Sequence, residues 1–169
     1  MSKPDSELET RVLEIISGRK VLVLCLGSEL MGDDAAGLEV CKSLLDSEVC
    51  DKVIIGGVAP ENFSMEIVEK GPEVLVIVDS VDAGLSPGSI ILAEPPFGDL
   101  RLVSTHSLPL DLFVSVLRSE LKGLRVILIG IQVARIEVGS NITQEVRRSV
   151  AYVTELLKRA LQETHPSNL

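Results

Sequence analysis

The stretch Val21-Leu22-Val23-Leu24-Cys25-Leu26-Gly27-Ser28-Glu29-Leu30-Met31-Gly32-Asp33-Asp34-Ala35-Ala36-Gly37 decides how the chain folds. An unbroken apolar run gives way to a glycine-punctuated polar loop, and an amphipathic segment, Leu38–Leu45, follows. That order reads as strand, loop and helix start. A strand with no polar alternation is one covered on both faces, as in parallel sheets flanked by helices. Phosphate-binding loops share this grammar, because backbone N–H groups at a helix N-terminus favour an anion. Here Asp33 and Asp34 put the chain's own negative charge where phosphate oxygens would lie. The loop suits a cation or a proton rather than a nucleotide.

Working outward, Leu8, Val12, Leu13, Ile15 and Ile16 recur at helical spacing over Asp5–Ser17, with Gly18 as the stop. Helix is expected again over Ala35 to Leu45 or Ser47, Phe63–Glu69, Leu108–Glu120 and Ile142–Leu161, the last with Thr143 as its cap. Short β-branched runs mark further strands at Lys52–Gly56, Val74–Val78 (closing on Asp79), Ser89–Ala93 and Arg125–Ile131. Between Asp79 and Ser89 the chain has only Ser80–Gly88, with Gly84, Pro87 and Gly88 in it. A parallel crossover needs about a dozen residues or more, usually a helix. The fourth strand is therefore expected to run antiparallel to the third. The alternation of elements predicts a single domain over residues 1–169, a three-layer α/β fold. Its sheet has five strands, mostly parallel with one antiparallel, and helices on both faces.

Composition narrows the function. With 169 residues and 46% hydrophobic content the chain can bury a substantial core. A net charge of -9 argues against nucleic acid and against anionic membrane surfaces. Three Phe, one Tyr and no Trp leave no base-stacking platform. No apolar run reaches the roughly 18 residues of a membrane span, and the opening Met1–Leu8 is polar, so no membrane insertion, no secretory signal and a cytoplasmic location are expected. Cys25, Cys41 and Cys50 show no CxxC spacing, and the first two read as small buried thiols.

Sheets of this kind bind ligands beyond the carboxyl ends of their parallel strands. Asp33 and Asp34 follow the first strand, Asn62 lies beyond the second, Asp79 caps the third and Gln132 the fifth. His106 needs the antiparallel strand's far end to be carried back. Extended at about 3.3 Å per residue, Glu94–Thr105 spans about twice a typical strand of 17–20 Å, enough for the return. Two carboxylates and an imidazole at one edge form a metal-type constellation, suited to zinc, nickel, iron or manganese. Plainer roles stand beside it: capping a helix for one of Asp33 and Asp34, turn formation for Asp79 and Asp82, a hydrogen-bonded loop position for His106. Other chemistries fit less well. Ser28 is not in a G-x-S-x-G elbow, a Walker loop lacks its G-K-[ST], and acids interrupt the glycines of any dinucleotide fingerprint.

Taken together, Gly27–Gly37 resembles the opening motif of the hydrogenase maturation endopeptidases, which trim a C-terminal extension from the large subunit of nickel–iron hydrogenases. The resemblance continues through Gly57-Val58-Ala59-Pro60-Glu61-Asn62, Ile77-Val78-Asp79-Ser80-Val81-Asp82-Ala83-Gly84, Ser104-Thr105-His106-Ser107-Leu108-Pro109-Leu110 and Leu128-Ile129-Gly130-Ile131-Gln132. It spans roughly Val21 to Leu161, with its pieces in order. It is nearest the branch serving formate-hydrogenlyase-type hydrogenases, although that branch commonly has Pro where this chain has Val133.

The resemblance implies a phosphorylase/hydrolase-like fold and puts the catalytic, metal-contacting positions on Asp34, Asp79 and His106. It also implies that nickel is supplied by the substrate precursor, and that cleavage follows a basic residue beyond the last metal-binding cysteine. The attacking water would be polarised by the metal or activated by a carboxylate, with Asp33 or Asp82 as a candidate helper. The expected partner is the large-subunit precursor, whose basic cleavage segment the negative charge would attract, and a monomer is expected. Two other classes fit the residues: a metal-dependent hydrolase of a small substrate, and a non-catalytic nickel-sensing or docking module.

Overall fold

The computed structural model describes residues 3–98, 100–103 and 109–163. Its elements run α1 (Lys3–Ile16), β1 (Val21–Leu26), α2 (Ala36–Leu45), β2 (Val53–Gly57), α3 (Ser64–Lys70), β3 (Val74–Val81), β4 (Ile90–Ala93), α4 (Leu110–Glu120), β5 (Arg125–Gln132) and α5 (Gln144–Glu163). The strands form one sheet in the order β2-β1-β3-β5-β4. β1 pairs in parallel with β2 and β3, and β3 with β5. β4 lies at the edge, antiparallel to β5, as the short connection Asp82–Ser89 requires. No helix among the described residues is long and apolar enough to cross a membrane.

Successive strand residues point to opposite faces, and the core divides accordingly. Val21, Val23 and Cys25 of β1 and Val74, Val76 and Val78 of β3 pack beneath α1, α2 and α5. Leu22, Leu24 and Leu26, with Leu75 and Ile77, pack beneath α3 and α4. The unbroken apolar runs are explained: each alternate residue has a helical layer of its own to enter. All residues of β1 and β3 are buried, whereas edge strand β4 is half-buried throughout.

Two expectations change. β3 extends to Val81, so Asp79 lies inside the strand, paired with Gly130, instead of capping it. Asp and Ser are weak strand formers, but β5 offers a full ladder opposite them, and pairing outweighs local propensity. The expected buried thiols are instead a disulfide, Cys25–Cys41, which ties β1 to α2. β1 and α2 are packed face to face, so two small side chains at the contact come within bonding reach. Cys50 is free and exposed.

Candidate functional site

From β1 the chain passes to β2 on one side of the sheet, then returns beyond β1 to form β3 on the other. The strand order thus reverses between β1 and β3, and loops diverging from such a point open a crevice at the carboxyl edge. Asp34 follows β1 in a 3-10 turn, Gly32–Ala35, that leads into α2. Asp79 sits near the end of β3. Both carboxylates are buried, Asp34 at 4% exposure and Asp79 at 0%.

Ser80 joins them. Its hydroxyl donates to Asp34 Oδ1 at 2.6 Å, and its backbone N–H donates to Asp79 Oδ1 at 2.8 Å. Strand alternation sends Ser80 to the face that carries α2, which is where Asp34 enters. Sequence reasoning passed over Ser80 because a serine after a strand carboxylate reads locally as a turn former. Its partner stands 46 positions earlier.

Asp33 and Asp34, adjacent in sequence, do different work. Asp33 Oδ2 accepts the N–H groups of Ala134 at 2.8 Å and Arg135 at 2.9 Å, and Oδ1 accepts that of Thr143 at 2.7 Å. The Thr143 hydroxyl reaches both oxygens at 3.0 Å. Asp33 N–H completes the link by donating to Arg135 O at 3.0 Å. The expectation that one of the pair caps the helix after β1 does not hold, since α2 has no side-chain cap. Asp33 instead fastens its loop to the chain after β5 and to the start of α5. Its oxygens are committed there, which removes it as a candidate for activating water. Thr143 does precede α5, but its hydroxyl turns to Asp33. Gly32 makes the close approach possible: with φ at +59°, an added Cβ would lie 2.5 Å from Ser140 Oγ and 2.9 Å from Arg135 O.

Gln132, at the end of β5, organises the far side of the crevice. Its Oε1 accepts the N–H groups of Ala83 at 2.8 Å and Leu85 at 3.3 Å, and its Nε2 donates to Asp82 Oδ1 at 3.2 Å. Asp82 is exposed and held by this contact. Asn62, exposed in the 3-10 turn Pro60–Phe63, lies beyond the edge strand β2, on the side of β1 away from β3. The outer loop is further tied by Lys42, whose amine meets Glu29 at 2.8 Å and Glu39 at 3.0 Å. Hydrogen bonding to Glu29, then to Glu39, raises the Lys42 pKa above its ordinary value.

His106 lies outside the described residues, which follow the chain toward it as far as Val103. Leu102 bridges to Val81, Asp82 N–H donates to Arg101 O at 2.8 Å, and Val103 N–H reaches Ser80 O at 3.4 Å. The segment after β4 therefore returns to the carboxyl end of β3, as the length argument requires. Among the described residues, no three His, Cys, Asp or Glu side chains gather closely enough to hold a metal ion. The pair Asp34 and Asp79 supplies hard oxygen donors only, and a nitrogen ligand would have to come from another segment.

Comparisons with known proteins bear on the family and the fold. The family model described as hydrogenase maturation protease matches residues 39–160. The hydrogenase 3 maturation protease of Escherichia coli K12 is 33% identical over 139 residues, covering 81% of this chain and 88% of that protein. Among solved structures, the [NiFe] hydrogenase maturation protease HycI of Thermococcus kodakarensis superposes with a TM-score of 0.78 at 27% identity, covering 90% of this chain and 99% of that one. The endopeptidase HycI of Escherichia coli gives 0.72 at 33% identity, with coverages of 83% and 90%. By matched family, shared sequence and shared fold, the chain belongs to the hydrogenase maturation proteases.

Proposed function

We propose that this protein is the endopeptidase that removes the C-terminal extension from a nickel-loaded nickel–iron hydrogenase large-subunit precursor, cutting after a basic residue beyond the last metal-binding cysteine. The observation that carries the reading is the burial of Asp34 and Asp79 at the β1/β3 switch point, both bonded to Ser80, with the chain before His106 returning to the same strand end. Two buried carboxylates tied to one serine offer oxygen donors of the kind an arriving cation takes. Nickel enters as part of the substrate. Asp34, Asp79 and His106 complete its coordination and so bring the scissile carbonyl to the crevice.

A water molecule then attacks the carbonyl carbon. The C–N bond breaks, and the leaving amine takes up a proton. Nickel beside the carbonyl contributes charge stabilisation, and Asp82 is the remaining acid at the rim to accept a proton from water. Asp33 takes no part in this step. The working unit is taken to be a monomer in the cytoplasm, which sedimentation at assay concentration checks in its first part.

Intact-mass measurement of nickel-loaded precursor incubated with Asp34→Asn, Asp79→Asn or His106→Ala tests the assignment. Each variant should fail to shorten the precursor while keeping the parent's circular dichroism and melting behaviour. Full processing by any one of them removes that residue from the site. Complex formation with no mass change by the parent protein would identify a docking module instead.

A further inference from the structure

We propose that Ser80 is a positioning residue for cleavage, setting the geometry of both acids that meet the incoming nickel. The inference rests on the function proposed above. Ser80 is fully buried and makes two bonds in two directions, through its hydroxyl to Asp34 and through its backbone N–H to Asp79. The second is available to any residue except proline. The first needs a side-chain hydroxyl.

The Asp34 carboxylate stands on the 3-10 turn before α2, and which of its oxygens meets an arriving cation depends on the bonds its side chain keeps. A 2.6 Å hydrogen bond from a strand residue takes Oδ1 and fixes the plane of the group. Ser80 stands beyond the end of the β1–β3 ladder but is itself paired with Ile131 of β5, so the hydroxyl is carried by a strand residue rather than by a loop. Bonds that orient a metal-contacting side chain influence affinity or activity without touching the metal. Ser80 has that place here, donating to one oxygen of each acid.

The test uses the full-length protein with Ser80→Ala and Ser80→Thr, acting on nickel-loaded precursor well below each variant's melting temperature. Ser80→Ala should lower kcat by about 10–100-fold. KM should stay within about threefold of the parent value, because a turned Asp34 still offers its carboxylate to the nickel while the scissile carbonyl is misplaced. Ser80→Thr, which keeps the hydroxyl, should restore kcat to within about threefold of the parent. A Ser80→Ala protein with unchanged kcat, a change confined to KM, or a folded threonine variant as slow as the alanine variant each overturns the positioning role. Should threonine's extra methyl prevent folding, the kcat and KM of Ser80→Ala decide alone. A parent protein that leaves the precursor uncut overturns the proposed function, and the positioning role with it. A cutting parent beside an equally fast Ser80→Ala overturns the positioning role only.

Discussion

Asp33 and Asp34 are indistinguishable by residue type and neighbouring in sequence, yet one holds the loop to the chain after β5 and the other is bonded to Ser80 of β3. The difference is made by partners 101 to 110 positions away, the N–H groups of Ala134, Arg135 and Thr143. No local pattern announces them, which is why the sequence marks the acidic pair but leaves the division of labour open. The geometry makes Asp33 a stability residue. Asp33→Ala would strand three backbone donors and a threonine hydroxyl around a buried site, at a cost of about 3 kcal/mol or more. At about 2–4 °C per kcal/mol for a chain of this size, melting should fall by roughly 6–12 °C. Calorimetry checks this; a melting temperature within about 2 °C of the parent would show that the clamp contributes little.

At the scale of elements, the strands were the most legible. Val21–Leu26 is β1 from first residue to last, because a run apolar on both faces has no alternative burial as simple. Where reading stopped short, at β3, two of the three added residues, Asp79 and Ser80, are polar, and all three owe their strand geometry to pairing with β5. The packing of α2 onto the sheet was visible only as a glycine. An added Cβ at Gly37 would lie 2.5 Å from Leu26 O and 2.6 Å from Val78 O, both backbone atoms that cannot swing aside. Gly37→Ala should therefore destabilise by about 1–3 kcal/mol, although alanine favours helix more than glycine does. Denaturant melts would read the loss, and an unchanged or raised midpoint would contradict the close packing. The Cys25–Cys41 link between the same two elements was not legible, since three cysteines without a spacing motif leave the pairing open. Thiol labelling of denatured, unreduced protein should find one free cysteine, Cys50, rising to three after reduction. Three reactive thiols before reduction would remove the disulfide.

Across the whole molecule, two connection lengths carry the topology. Asp82–Ser89 is too short to cross the sheet, so β4 turns back antiparallel. The longer segment after it returns the chain to β3, where Leu102 bridges to Val81 and Val103 reaches Ser80. Those lengths, with the apolar strands, make most of the fold readable from residues alone. Of the three expected site residues, Asp34 and Asp79 come to the same sheet edge through Ser80, and His106 falls outside the described residues. The side chain that ties the acids together, Ser80, was not readable, because its role depends on β1 and β3 lying side by side. The central claim is that the edge where these elements meet reads nickel inside a protein substrate and cuts only then. The direct measurement is the intact mass of hydrogenase large-subunit precursor after incubation with this protein, in nickel-loaded and nickel-free forms. Loss of a C-terminal peptide from the nickel-loaded form alone is the predicted result, and equal shortening of the nickel-free form would contradict it.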